Sequence, residues 1–182
     1  MKTNSTKLLQ ELENITQANI EAAVGFLNFS EQQLNFKAVP GSWSILECLE
    51  HLNRYSSFYL PELRKHLSAT TDAAKQEFKS GLWGNYLVKM VIPKDGGKKM
   101  KTFPAMDPSG SKLDKAVVTQ FLETQNELLR IIEVAKSADL NRAGIPVTFT
   151  KLIKLKLGDA LRFMADHNQR HVRQAQRINL ST

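Results

Sequence analysis

Four stretches of roughly 20 residues repeat apolar side chains at the three-to-four spacing of an α-helix, with glycine and proline concentrated between them. In the first, residues 5–26, Leu8, Leu9, Leu12, Ile15, Ile20, Ala23 and Val24 recur with Glu, Gln and Asn between, and Leu27 extends the stripe. In the second, Ser44-Ile45-Leu46-Glu47 reads as a capping box opening a helix to Leu67, which Pro61 is expected to kink or interrupt. The third, residues 111–136, uses Val117, Val118, Phe121, Leu122, Leu128, Leu129, Ile131 and Ile132, and the fourth covers 156–179. Pro40-Gly41 and Pro146 break periodicity in the connectors 28–41 and 139–155. Segment 78–110 is punctuated by glycines and prolines and reads as a long irregular excursion, with a helical turn or two near 82–91. Four amphipathic helices bury their stripes by facing one another, so the expectation is an all-α four-helix bundle formed by one domain, residues 1–182.

The remaining bulk properties narrow the function. Cys48 is the only cysteine, which excludes an intrachain disulfide and any cysteine-based zinc knuckle. No stretch approaches the roughly 20 apolar residues that span a bilayer. Residues 1–7 lead into a mixed Leu/Glu/Gln pattern rather than an apolar signal core, so a cytoplasmic protein with no membrane partner is expected. The net charge of +7 is uneven. Residues 89–101 carry five lysines against Asp95, and residues 151–177 carry seven Lys or Arg against Asp159 and Asp166. Such patches are either solvated surface or a field that steers anionic ligands. No aromatic interleaving or nucleic-acid motif accompanies them, so a nucleic-acid partner is not expected. Lys94-Asp95-Gly96-Gly97-Lys98-Lys99 lacks the spacing of a phosphate loop.

The histidines carry the chemical signal. His167 and His171 stand i,i+4, so both imidazoles leave the same face of the last helix and can reach one ion. That face also holds Phe163, Met164, Gln174 and Ala175, an inward stripe. In the second helix His51 shares a stripe with Glu47, Cys48, Tyr55 and Phe58. Three inward imidazoles need hydrogen-bond partners, a charge or a metal. Three neutral ligands without a thiolate describe an open metal site, in which solvent or substrate takes the other positions.

The pattern Trp43-Ser44-x-x-Glu47-x-x-x-His51-Leu52, approached through Pro40-Gly41, together with His167-x-x-x-His171-x-x-Gln174, resembles the DinB/YfiT-like superfamily of metalloproteins over essentially the whole chain. The resemblance implies an up-up-down-down bundle, commonly a homodimer, with a divalent metal (zinc or nickel) held by His51, His167 and His171. It further implies either transfer of a low-molecular-weight thiol to a small electrophilic substrate through a metal-bound thiolate or metal-assisted hydrolysis, and the basic last helix, suited to an anionic thiol, tips the reading to transfer. A metal-dependent hydrolase and a non-enzymatic, stress-associated metal-binding dimer are the alternatives.

Other residues have two readings. Glu47 either orients His51 or a metal-bound water, or serves only the capping box. Gln174 either packs in the seam or hydrogen-bonds a ligand histidine. Cys48 reads as a small buried hydrophobe near the site. His66, close to the end of the second helix, suits a solvent-exposed position at a negative dipole end.

Overall fold

The computed structural model describes residues 1–69, 72–92 and 102–178. In chain order they form β1 (Lys2–Asn4), α1 (Ser5–Phe26), α2 (Glu31–Leu34), α3 (Ile45–Ser68), β2 (Glu77–Lys79), α4 (Leu82–Val91), a 3-10 turn at Pro104–Met106, α5 (Ala116–Ala135), β3 (Ala143–Val147), β4 (Thr150–Lys156) and α6 (Leu157–Gln176). The chain is therefore mostly helical but not all-α, because two small antiparallel sheets, β1 with β2 and β3 with β4, accompany the helices. The Lys94–Lys99 stretch, most of the first basic segment and Asn179 lie outside the described residues.

Local signals explain the long helices. Asn4 caps α1 by accepting from the Lys7 amide at 3.0 Å. α3 opens on the expected reciprocal box: Ser44 Oγ accepts from the Glu47 amide at 3.2 Å, and Glu47 Oε2 accepts from the Ser44 amide at 2.9 Å. Gly41, at a φ of 73°, makes the turn before it. Pro61 does not interrupt α3. Its ring faces solvent, and burial of Tyr59, Leu60 and Leu63 on the opposite side outweighs the lost backbone bond. The 28–41 connector contains α2, opened by a second capping box between Ser30 and Gln33. α5 starts later than the periodicity suggested, and the 139–155 connector is a β-hairpin whose second strand runs directly into α6.

Each long helix packs against two others, in the ring order α1, α5, α3, α6. Cross-helix contacts fix their sense. Asn53 Nδ2 donates to the Val117 carbonyl and Arg64 pairs with Glu127, so α3 and α5 run the same way. His51 meets His167 while Tyr59 meets Phe163, so α3 and α6 oppose. β1 pairs with β2, and Phe78 of β2 packs on Gly158, which puts the starts of α1 and α6 at one end. The order is up-down-down-up, not up-up-down-down. The connection between α3 and α5 is long enough to return the chain to the end where α3 began, so consecutive long helices need not alternate.

The core forms two clusters. One gathers Leu8, Leu12, Tyr59, Leu63, Phe78, Leu128, Ile132 and Leu161; the other Phe26, Leu46, Leu49, Phe121 and Val172. α4 is docked on α6 through Asp159, a fully buried carboxylate in the first turn of α6. It accepts from the Gly81 amide at 2.8 Å and from Ser80 Oγ, with Arg162 beside it. Among the described residues no helix is long and apolar enough to cross a membrane.

Candidate metal centre

His51 leaves α3 two turns after the Ser44 cap, and His167 and His171 leave α6 one turn apart, into the groove where these antiparallel helices meet. All three rings are buried. Their ligand nitrogens lie within 4.8 Å of one another, and His51 Nε2 stands 3.3 Å from His167 Nε2. Tetrahedral coordination at a metal–nitrogen distance near 2.1 Å places ligand nitrogens about 3.4 Å apart, so this spacing suits one ion.

Two of the rings are held in the tautomer that a metal needs. His51 Nδ1 donates to the Met106 carbonyl at 2.7 Å, which leaves its Nε2 lone pair free. His171 Nδ1 meets Gln174 Oε1 at 2.9 Å, so Gln174 takes the histidine-bonding role among its two readings. His167 is positioned by packing instead: Phe163 stacks on it at 5.3 Å and Tyr55 meets it edge-on at 4.6 Å. Trp43 closes another side, 4.8 Å from the His51 ring and 5.6 Å from His171, its Nε1 donating to Ser109 Oγ. No cysteine or carboxylate joins the three histidines among the described residues. The donor set is three neutral imidazoles, which fits a divalent ion with positions left for another ligand.

Electrostatics keep the imidazoles neutral. Burial lowers the His51 pKa to about 4, against partial opposition from the Met106 carbonyl. Burial and the neighbouring His51 lower His171 to about 3. His167 is pushed well below the ordinary histidine range by burial and then by His171 and His51. Between these values and the ordinary 6.5, the unfolded chain takes up protons that the folded chain refuses, so stability rises with pH. The contribution is full above about pH 6.5 and is lost as the pH falls toward 4. Asp166, raised to about 6 mainly by burial, acts in the opposite sense and offsets part of this. Guanidinium melts of chelator-treated protein should therefore show a loss on the order of 2 kcal/mol per buried ring between pH 7 and pH 5. A flat profile over that interval would contradict the burial of these rings.

The expectation for His66 changes, and the readings of Glu47 and Cys48 narrow. Glu47 does not orient His51. Its carboxylate is taken by the Ser44 amide and by Lys37 Nζ at 2.7 Å, while His51 turns to Met106, so the residue belongs to the cap. His66 does lie in the last turn of α3 but is half-buried against Gly144, and burial lowers its pKa rather than a dipole raising it. Cys48 is fully buried in the second core cluster, as a small hydrophobe, with its thiol pKa pushed up by burial. Two contributors escaped the sequence reading. A backbone carbonyl such as that of Met106 has no residue signature. Thr148, in the turn between β3 and β4, bonds the hydroxyls of Tyr55 and Tyr59, but the turn becomes visible only once the hairpin is known. Tyr55 and Phe163 were legible, since both fall on the histidine stripes.

Segment 104–111 is thus attached along α3 by four bonds from that helix and its approach: His51 to Met106, Arg54 to the Asp107 carbonyl at 2.6 Å and to Ser111 Oγ at 3.1 Å, and Trp43 to Ser109. No curated protein and no solved structure matches the chain. The profile of the DinB superfamily does, over residues 14–175, a span that contains α3, all but the last residue of α6, and all three histidines. With the Trp43-Ser44 approach, His51 and the His167/His171 pair meeting in one groove, the chain belongs to the DinB superfamily.

Proposed function

We propose that the protein is a divalent-metal-dependent enzyme in which His51, His167 and His171 hold one zinc or nickel ion through Nε2, and that it transfers a low-molecular-weight thiol to an electrophilic small molecule. The observation that carries this reading is the convergence of three neutral imidazoles without a fourth protein ligand among the described residues. A bound divalent ion would supply the charge that keeps a coordinated thiol deprotonated, and so nucleophilic, near neutral pH.

The residues of the chain do the rest. The Met106 carbonyl and Gln174 hold the Nε2 lone pairs toward the centre. Trp43, Tyr55 and Phe163 surround the imidazoles with aromatic surface, which limits water and strengthens every charge interaction inside. Arg170 lies close enough to disfavour protons on both His167 and His171. This positive field favours an anionic sulfur donor over a neutral one. In the transfer, the thiol proton leaves to solvent, a sulfur lone pair forms the new S–C bond, and the leaving group departs with its bonding electrons. The working form is a homodimer in the cytoplasm.

A panel of low-molecular-weight thiols and model electrophiles, assayed with zinc- and nickel-loaded protein, tests the reading. Thiol-dependent product should form, and His51→Ala should abolish it while helical circular dichroism persists. Product formation without added thiol would instead establish hydrolysis. Collapse of the helical signal in His51→Ala would favour a structural metal.

A further inference from the structure

Two segments that are remote in sequence converge beside the histidines, and each brings an aromatic ring. Phe103 caps the 3-10 turn whose Met106 carbonyl holds His51. Phe149 follows Thr148, whose hydroxyl is bonded by Tyr55, the residue packed edge-on against His167. The two phenyl rings stack on each other with centroids 5.4 Å apart and an interplanar angle of 20°. They therefore bridge a segment anchored at His51 and a hairpin turn anchored beside His167. Both rings remain about half exposed, at 50% and 47%. Two exposed phenyls have no structural need to stay uncovered, and this pair joins the segment that holds His51 to the turn beside Tyr55. The surroundings of the imidazoles are aromatic as well: Trp43, Tyr55 and Phe163.

We propose that the Phe103–Phe149 pair forms the mouth of the site and selects small molecules that present an aromatic ring next to their metal-binding or reacting atom. This inference rests on the metal-centre reading and adds a substrate class to it. The ring of the ligand stacks on Phe149 or Phe103 in place of part of their mutual contact, while its donor atom reaches the position that the three imidazoles leave free. Ligands with the same donor atom but no ring lose that stacking surface and gain nothing elsewhere.

Binding to cobalt-substituted protein tests this without assaying turnover, since the d–d bands report the metal and a sulfur-to-cobalt charge-transfer band reports the thiol. The probes are benzyl mercaptan, 2-mercaptoethanol and cyclohexylmethyl mercaptan. For the parent protein, benzyl mercaptan should bind about 10-fold more tightly than 2-mercaptoethanol, given the apolar and stacking surface a ring adds. It should also bind more tightly than the saturated ring. Phe149→Ala and Phe103→Ala should each reduce the preference several-fold with unchanged d–d bands and helicity, and Phe149→Trp should restore it. Equal affinities in the parent, or a preference undisturbed in both alanine variants, would overturn the proposal and leave the metal reading intact. A cyclohexyl affinity equal to benzyl would overturn aromatic selection in favour of simple apolar fit. Absence of cobalt bands would overturn the metal reading, and the selection with it.

Discussion

His171→Ala should abolish metal binding: the parent protein, purified and dialysed, should contain about one divalent ion per chain, and the variant essentially none. The expectation follows from the geometry of the ligand set. His51 and His167 alone would hold the ion from two directions, and Trp43, which packs on both His51 and His171, offers no donor lone pair to replace the lost nitrogen. Losing a partner behind a ligand typically costs 10–100-fold in metal affinity, so losing a ligand should exceed roughly 100-fold. Thermal stability gives a second readout. An ion at about 100 times its Kd adds about 2.7 kcal/mol, or roughly 5–10 °C for a chain of this size, to the parent and nothing to the variant. Metal content that is unchanged in His171→Ala, measured by elemental analysis, would sink the assignment of this ligand.

Gly84→Ala should destabilise the protein by about 2 kcal/mol or more, although the change adds a single methyl group. Gly84 is buried in α4, and a Cβ there would fall well inside van der Waals contact with the Asp159 carboxyl group. Asp159 cannot move aside. Its oxygens are engaged by Ser80 Oγ, the Gly81 amide and Arg162, and withdrawing them would leave a buried carboxylate short of donors. The strain therefore falls on the docking of α4 against α6. Gly25→Ala is the matched control: it also lies in a helix, but nothing stands within 4 Å of its Cβ, so the change should be neutral or stabilise by about 0.5 kcal/mol. Urea denaturation of both variants decides the matter, and equal midpoints would show that α4 contributes little to the folded state.

The parts of the fold that were legible are those written within a few residues of chain. The three-to-four stripe marks α1, and the Ser44/Glu47 box marks the start of α3, because capping and periodicity act over one or two turns. The β3–β4 hairpin was not legible. Pro146 and Thr150 lie in strands too short to show alternation, and the strands exist because Ile145, Val147 and Leu155 are buried under neighbouring helices. β1 and β2 pair across more than 70 residues, a contact that no local pattern announces. Pro61 misled in the other direction, since tertiary burial along one side of α3 outweighs a local breaker on the other.

The same division runs through the site. Sequence alone put His51, His167 and His171 on inward stripes through helical spacing, and the Trp43-Ser44 approach with these histidines pointed to the family that the profile match confirms. Only the tertiary structure decided what stands behind and around them. Glu47 turned out to serve the helix cap, and the Met106 carbonyl, more than 50 residues from His51, took the place beside that imidazole. The up-down-down-up order and the Phe103–Phe149 stack were decided the same way. The physical reason is common to all of these: a side chain's face on its own helix follows from periods of 3.6 residues, whereas its partner across a groove depends on how separate elements pack, which no local period encodes.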